Sequence, residues 1–185
     1  MTDEQLKLAI REHAYLEGDF VLRSGKRSRY YLDKYRFETR PDLLAALGER
    51  IAEQARAHAS DAALLAAPEL GAVALAAAAS LSSGLPFLIV RKAAKEYGTA
   101  KRVEGMYADG DRICVVEDVV TSGGALLESV EALREAGLVV ETAVCVVDRE
   151  EGGGEALAGA GVALWPIFTA AELLEKPKDP AKLHG

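Results

Sequence analysis

From residue 63 onward, short apolar runs alternate with segments of helical character, and this alternation constrains the fold more than any other feature. The apolar runs are ALLAA at 63–67, PFLIV at 86–90, RICVVED at 112–118 and VVETAVCVVD at 139–148. Between them lie two helical segments, AVALAAAAS at 72–80 and GALLESVEALREAG at 124–137. Strands that are apolar along almost their whole length are typical of a parallel sheet covered by helices on both faces. We therefore predict an α/β fold with a mainly parallel central sheet.

Two further helices are predicted before this alternation. The first lies in TDEQLKLAIREHAYLEG at 2–18 and ends before Gly18. The second lies in ETRPDLLAALGERIAEQARAHA at 38–59, where Thr39 can cap the helix and Pro41 suits its first turn. Helical spacing gives each an apolar face, formed by Leu6, Ile10 and Ala14 in the first and by Leu43, Leu47 and Ile51 in the second.

Length and composition are those of one globular domain. The chain has 185 residues, of which 50% are apolar and 28% charged, enough to bury a sizeable core. We expect a single domain over 1–175, followed by a polar tail at 176–185 that contains two prolines. The formal net charge of −7 argues against a nucleic-acid-binding protein, because such binding draws on an excess of Lys and Arg.

Cysteine usage and hydropathy bear on the compartment. Cys114 and Cys145 lie in apolar, strand-like runs, and we interpret them as reduced core thiols. The 21 uncharged residues at 70–90 are long enough for a membrane span. Their alanine-rich start and the turn residues SSGLP indicate instead a buried helix, a turn and a strand. No secretory segment follows Met1, so we expect a cytoplasmic protein without membrane partners.

An acidic pair, Glu117 and Asp118, stands between an apolar strand and a glycine-rich turn in VVEDVVTSGG at 115–124. Ligands of open parallel sheets bind at the carboxyl ends of the strands. TSGG begins the next predicted helix, where glycines let a phosphate approach backbone N–H groups. Neither a Walker pattern nor GxGxxG is present. By residue type alone, the two acids could cap the helix or contact the hydroxyl groups of a ligand.

Basic residues are concentrated in two segments, RSGKRSR at 23–29 and RKAAKEYGTAKR at 91–102. These 19 positions hold nine of the 22 Lys and Arg residues, where an even distribution would place roughly two. Such a concentration in an acidic protein favours a binding site for a polyanion over ordinary solvated loops. The glycine and alanines around Lys95 indicate a lid that closes over the ligand.

With these features in place, the sequence resembles the type I phosphoribosyltransferases, and most specifically the orotate phosphoribosyltransferases. VVEDVVTSGG resembles their signature for 5-phosphoribosyl 1-diphosphate (PRPP). Three other segments resemble, in the family's order, its N-terminal substrate segment, its catalytic loop and its orotate-side arginine: GDFVLRSGKRSRYYLD at 18–33, RKAAKEYGTAKRVEG at 91–105 and VVDREEGG at 146–153. The resemblance covers roughly residues 15–170 and implies the type I phosphoribosyltransferase fold, with a small N-terminal hood over about 1–38.

The resemblance implies transfer of the 5-phosphoribosyl group from PRPP to orotate, as in the biosynthesis of UMP. Glu117 and Asp118 are then expected to hold the ribose hydroxyls, and Lys95 to face the departing diphosphate. These three are the implied catalytic residues. The same resemblance assigns PRPP binding to these three and to Arg23, Arg91, Lys92, Tyr97, Val119, Val120, Thr121, Ser122, Gly123, Gly124 and Ala125.

For the second substrate, the resemblance implies a site in which Arg149 pairs with the orotate carboxylate. The other residues implied to contact orotate are Tyr31, Leu32 and Thr121. Mg²⁺ is the implied cofactor. It is carried by PRPP and lies near the acidic pair, and no side chain is assigned as a direct ligand of the ion. A homodimer is also implied, in which the catalytic loop of one subunit reaches the site of the other.

Some positions depart from the family pattern. The first signature acid is Glu117 rather than aspartate, and Tyr97 stands where many relatives have histidine. Arg29 replaces a usual proline, and APELGAV at 67–73 lacks the lysine that some relatives have beside the diphosphate.

The implied chemistry needs orientation and cationic stabilisation of the leaving group rather than a strong base, because orotate enters as an anion. His13, His58 and His184 all lie outside the motifs, in agreement with this. Two alternatives remain open. A phosphoribosyltransferase for another nucleobase would leave Arg149 without a carboxylate to pair with. A non-catalytic regulator that senses PRPP and binds nucleic acid would be expected to have a degraded lid and a basic face.

Overall fold

A computed structural model describes residues 1–21, 25, 27–93 and 101–175, whose strands form one six-stranded sheet and one two-stranded ribbon. The strands are β1 (Tyr15–Val21), β2 (Arg27–Leu32), β3 (Leu64–Pro68), β4 (Phe87–Val90), β5 (Val103–Glu104), β6 (Arg112–Val120), β7 (Val139–Asp148) and β8 (Ala163–Thr169). The helices are α1 (Asp3–Ala14), α2 (Tyr35–Glu38), α3 (Pro41–His58), α4 (Gly71–Ser83), α5 (Gly124–Glu135), α6 (Gly153–Gly159) and α7 (Ala170–Leu174).

The six-stranded sheet has the order β5-β4-β3-β6-β7-β8. All neighbouring strands are parallel except β4 and β5, which are antiparallel. This confirms the predicted α/β fold with a mainly parallel sheet. The chain runs from β3 outward in one direction to β4 and later in the other direction from β6 to β8. The carboxyl ends of β3 and β6 therefore flank the point where the strand order reverses, which is where open α/β sheets bind ligands.

Helices cover both faces of this sheet, as the apolar strands predicted. Cys114 and Val116 of β6 pack into a core with α1, α3 and α4, whereas Ile113 and Val115 pack into a second core with α5 and α6. The alternation follows from the two-residue period of a strand, which sends successive side chains to opposite faces. Both sides of β6 are therefore fixed by packing, and so is the direction in which its carboxyl end points.

The ribbon of β1 and β2 is antiparallel and stands apart from the central sheet. Tyr15 of β1 stacks on Tyr30 of β2, with ring centroids 5.5 Å apart. This ribbon changes the predicted first helix, which ends at Ala14 and not just before Gly18. Residues from Tyr15 onward pair with β2, because backbone pairing and the aromatic stack favour a strand there over another helical turn. The predicted apolar face of Leu6, Ile10 and Ala14 is confirmed as fully buried.

The predicted cap of the second helix is wrong. Thr39 ends α2, where its hydroxyl donates a hydrogen bond to the Tyr35 carbonyl oxygen at 2.6 Å. The residue before α3 is Arg40, which makes no side-chain capping bond and pairs with Asp42 instead. Pro41 does occupy the first turn, as its fixed φ angle favours.

The cysteines and the uncharged segment have the predicted environments. Cys114 and Cys145 are free and fully buried. Residues 70–90 contribute the helix α4 and the strand β4, separated by Gly84 in the left-handed conformation. Among the described residues, no helix combines the length and the apolarity needed to cross a membrane.

Candidate active site

The acidic pair lies within β6, close to its carboxyl end, and both side chains are buried. Asp118 is 3% exposed, and its Oδ1 accepts a hydrogen bond from the Val119 N–H at 2.6 Å. Glu117 accepts one from the Asp118 N–H at 3.1 Å. The following helix, α5, is preceded by Gly123 and has no side-chain cap. The acids therefore do not cap that helix, and their buried carboxylates belong to the strand end.

A second pair of charged residues, Lys34 and Glu38, comes to Asp118 from α2 and the residue before it. The Lys34 ammonium donates to Asp118 Oδ2 at 2.5 Å. Glu38 is 2% exposed, and its Oε1 has no hydrogen-bond partner. Three carboxyl groups, those of Glu38, Glu117 and Asp118, thus share one ammonium group at the base of the site.

The close approach of these charged side chains shifts the pKa values of three of them. Burial, followed by repulsion from Asp118, raises the pKa of Glu117 to about 8. The same two causes raise the pKa of Glu38 to about 8. Burial alone would lower the pKa of Lys34, but the hydrogen bond to Asp118 and the attraction to Asp118, Glu38 and Glu117 together outweigh burial, so that pKa lies above its usual value. Lys34 therefore keeps its positive charge here, while burial favours the neutral form of the Glu38 and Glu117 carboxyl groups.

The glycine-rich turn lines a cavity of about 510 Å³ with residues 119–126. Gly123 has φ of +80°, which a glycine adopts without strain, and α5 begins directly after it with no acid in its first turn. Gly153, at the start of α6, packs against the turn so closely that an added Cβ would lie 2.6 Å from the Thr121 carbonyl oxygen. A helix N-terminus free of acids, next to an open backbone turn, is suited to bind a phosphate group.

A second cavity, of about 270 Å³, lies between the ends of β3, β4 and β6. Four basic residues line it: Lys34, Arg91, Lys92 and Arg102. Its floor includes the start of α4 and the peptide bond between Glu69 and Leu70, which is cis. The Lys92 N–H donates to the Glu69 carboxylate at 2.9 Å.

The two ends of the basic segment at 91–102 lie side by side at the edge of the sheet. The Arg91 N–H donates to the Arg102 carbonyl oxygen at 2.8 Å, next to the antiparallel pair of Val90 and Val103. The two ends of the segment are therefore held together at the rim of the second cavity. The predicted residues Lys95 and Tyr97 lie outside the described residues.

Arg149 lies beyond the end of β7 and faces the ribbon of β1 and β2. Its side chain is 9% exposed, and its guanidinium lies 5.2 Å from the centroid of the Tyr30 ring. One terminal nitrogen contacts Glu151 at 3.1 Å and the Tyr30 hydroxyl at 3.3 Å. The Nε atom is buried without a hydrogen-bond partner. An acceptor oxygen that reached this guanidinium would supply the missing partner.

The structure thus brings most of the described candidate residues to one edge of the sheet. Glu117, Asp118 and residues 119–125 line the first cavity, and Arg91 and Lys92 line the second. Tyr31 is 42% exposed and packs near Phe20, while Leu32 is half-buried against the core. Arg23, like Lys95 and Tyr97, lies outside the described residues.

Three residues of the site were not predicted: Lys34, Glu38 and Tyr30. Lys34 and Asp118 are 84 positions apart in the sequence, and Arg149 and Tyr30 are 119 apart. Neither contact is visible in local periodicity. The sequence does contain one hint. The short segment that joins the ribbon to α3 carries a lysine and a glutamate close to the apolar Phe37, which is buried in the fold.

Comparison with known proteins agrees with this architecture. Residues 40–167 match the family model described as the phosphoribosyl transferase domain. The orotate phosphoribosyltransferase of Methanocella arvoryzae is 47% identical over 174 residues, which cover 94% of this chain and 98% of that protein.

Two solved structures extend the agreement to three dimensions. The crystal structure of orotate phosphoribosyltransferase from Aeropyrum pernix has a TM-score of 0.81 and 36% identity, covering 94% of this chain and 96% of that one. The enzyme of Mycobacterium tuberculosis H37Rv in complex with PRPP has a TM-score of 0.77 and 28% identity, covering 93% of this chain and 99% of that one. The chain is accordingly a member of the orotate phosphoribosyltransferase family.

Proposed function

We propose that the protein transfers the 5-phosphoribosyl group of PRPP to orotate, giving orotidine 5′-phosphate and diphosphate for pyrimidine biosynthesis. The observation that carries this proposal is the pair of adjoining cavities at the strand-order reversal. One has a backbone turn suited to a phosphate, the other is rich in cations, and two buried acids lie between them. Membership of the orotate phosphoribosyltransferase family supports the choice of substrates.

In this proposal, PRPP lies across both cavities. The 5-phosphate binds the turn from Val119 to Ala125, and the ribose hydroxyls donate to Glu117 and Asp118. Arg91, Lys92 and Lys95 face the diphosphate, with Arg23 and Tyr97 as further contacts. Negative charge grows on the diphosphate as its bond to C1 breaks, so cations at that end stabilise the transition state more than the bound substrate.

Orotate is proposed to bind between the turn and the ribbon, in contact with Thr121, Tyr31 and Leu32. Its carboxylate would pair with Arg149, whose Nε lacks a partner. A charge-assisted contact of this kind discriminates against nucleobases without a carboxylate. This favours orotate over uracil or a purine.

The donor set fits Mg²⁺ that arrives with the substrate. Among the described residues, no group of three or more His, Cys, Asp or Glu is arranged to hold a metal ion. Asp118 is already paired with Lys34, and Glu117 is its neighbour. Mg²⁺ usually binds through one or two carboxylates and the phosphates of its substrate, so these two acids are the residues that would lie near it. When bound, the ion would neutralise part of the diphosphate charge.

A homodimer with a catalytic loop shared between subunits, and a location in the cytoplasm, complete the proposal. The dimer rests on the sequence resemblance. The compartment rests on Cys114 and Cys145, which are unpaired thiols as a reducing environment maintains them.

The test is a diphosphate-release assay with PRPP and Mg²⁺ in which orotate, uracil and hypoxanthine are compared. We expect diphosphate to be released when the added base is orotate and not when it is uracil or hypoxanthine. Equal release with uracil or hypoxanthine would contradict the substrate assignment. No release with any base, at protein concentrations where PRPP binding is measurable, would contradict the enzymatic role.

A further inference from the structure

Lys34 lies where the two cavities of the site meet. Its side chain lines both the cavity along the glycine turn and the cavity near the start of α4. The other basic residues of the described lining, Arg91, Lys92 and Arg102, border only the second cavity. A ligand that extends from one cavity into the other must therefore pass the Lys34 ammonium group.

The ammonium group occupies the acceptor that such a ligand would use. Asp118 lines both cavities, and its Oδ1 accepts the hydrogen bond of the Val119 N–H at 2.6 Å, whereas its Oδ2 lies against Gly71 at the start of α4. Lys34 Nζ lies 2.5 Å from that Oδ2. A ligand hydroxyl that donated to Oδ2 would compete with Lys34 for it.

The end of the Lys34 side chain also lies against the start of α4. A Cβ built on Gly71 would lie 2.7 Å from Lys34 Nζ and 3.1 Å from its Cε. The ammonium therefore lies directly against the backbone that forms the floor of the cation-rich cavity. The side chain is 31% exposed, so its tip can change partners without moving the backbone.

A partly buried ammonium that loses its carboxylate needs another anion, because an unpaired charge is costly in such a site. The ligand itself supplies one if it carries a diphosphate into the second cavity. A ligand with a phosphate and hydroxyls but no diphosphate would displace Lys34 from Asp118 and offer it nothing in return.

We propose that Lys34 is a further PRPP-binding residue: it neutralises Asp118 in the free site and passes its ammonium to the diphosphate when the ribose hydroxyls bind Asp118. This inference rests on the proposed function for the identity of the ligand. It makes Lys34 a residue that distinguishes ligands with a diphosphate from those without one.

The experiment compares equilibrium dissociation constants by calorimetry at a fixed free Mg²⁺ concentration. The three ligands are PRPP, inorganic diphosphate and ribose 5-phosphate. Lys34→Met removes the charge and keeps most of the side-chain stem, whereas Lys34→Arg keeps the charge. The matched control is Arg36→Met, two residues further along the chain in α2, since Arg36 pairs with Asp33 and borders neither cavity.

For Lys34→Met we expect PRPP and diphosphate to bind about tenfold or more weakly, the loss of one charge-assisted contact. Ribose 5-phosphate should bind as in the wild type or more tightly, because no ammonium group then competes with its hydroxyls for Asp118 Oδ2. Lys34→Arg should keep the preference of the wild type for diphosphate-bearing ligands, and Arg36→Met should match the wild type for all three.

Two results would overturn the inference. Unchanged PRPP affinity in Lys34→Met would remove Lys34 from the diphosphate, and an equal loss for all three ligands would make it only a support for Asp118. If Lys34→Met does not fold, Lys34→Arg decides: loss of the preference for diphosphate-bearing ligands would overturn the inference. Each of these results requires that the wild type binds PRPP, so they are distinct from a failure of the wild type to use orotate.

Discussion

Arg149 combines a buried position with an incomplete set of partners, and this defines the first prediction. Arg149→Ala should weaken orotate binding by about 2–5 kcal/mol, the usual cost of removing one member of a desolvated charged pair. PRPP affinity should stay nearly unchanged. Arg149→Lys should recover little, because lysine lacks the planar fork of a guanidinium. Calorimetry with each ligand measures both effects.

The control for that prediction is Tyr30→Phe, which keeps the ring beneath the guanidinium and removes only the hydroxyl contact at 3.3 Å. It should change orotate affinity much less than Arg149→Ala. An equal loss of orotate and PRPP affinity in Arg149→Ala would remove Arg149 from the orotate site.

Glu38 is one of two buried carboxyl groups whose protonation should affect stability, and it lies on α2 rather than in the acidic pair. Its pKa is about 8 in the folded protein, raised by burial and by Asp118, whereas an unfolded glutamate titrates near about 4.3. Between these values the folded state binds more protons than the unfolded state, so the free energy of unfolding falls as pH rises. The contribution of the protonated carboxyl is complete below about pH 4.3 and is lost as pH rises through about 8.

Glu38→Gln should abolish this loss. The free energy of unfolding of the variant, relative to that of the wild type, should rise steadily with pH across that window. Chemical denaturation at several pH values measures it, with Glu131→Gln on an exposed surface of α5 as the control for the exchange itself. A stability difference that stays constant with pH would show that Glu38 does not titrate as described.

Residues differ in how far their roles follow from the sequence. The acidic pair and the glycine turn could be predicted because each lies within one continuous motif at a strand end. Lys34 and Glu38 could not, since only the tertiary fold brings α2 to the end of β6. The segment 67–73 lacks a lysine, yet the ammonium of Lys34 lies against Gly71 of that segment. The absence of a lysine from segment 67–73 therefore does not mean that the site lacks a positive charge beside that segment.

At the scale of elements, the glycine turn depends on its contact with α6. Gly153→Ala would place a methyl group against the Val120 side chain and 2.6 Å from the Thr121 carbonyl oxygen. We expect the turn to shift and PRPP affinity to fall about tenfold or more, together with a loss of about 1–3 kcal/mol in stability from overpacking. PRPP titration and thermal unfolding measure the two effects.

Gly154→Ala provides the matched control one residue later in the same helix. An added Cβ at Gly154 has no neighbour within 4 Å, and alanine favours a helix over glycine. That variant should bind PRPP like the wild type and be at least as stable. If both variants bound PRPP equally well, the packing of α6 would not control the turn.

Among the elements, those with strong periodicity could be predicted and those defined by pairing could not. The strands predicted at 63–67, 86–90, 112–118 and 139–148 all form. They could be predicted because a strand that is buried on both faces has a nearly continuous apolar sequence. The first helix was predicted too long because Tyr15 and the residues after it are strand only through their partners in β2. The two-residue strand β5 has no pattern of its own and forms by pairing with β4.

At the scale of the whole molecule, the proposed shared site can be tested with two inactive variants. Lys95→Ala damages the catalytic loop, and Asp118→Asn damages the pocket. After subunit exchange in an equal mixture, random pairing makes about half of the dimers mixed. If the loop acts on the partner's site, each mixed dimer contains one site with an intact loop and an intact pocket. Activity should therefore return to about a quarter of the wild-type value.

The same mixture distinguishes a loop that closes over its own subunit. In that case every site in a mixed dimer keeps one defect, because each pocket is covered by the loop of its own chain, and no activity returns. Subunit exchange must be verified independently, for example by mass spectrometry of two differently tagged variants. A verified mixture that stays inactive would contradict the shared site while leaving the proposed reaction intact, since the chemistry at Asp118 and Arg149 does not depend on which subunit supplies Lys95.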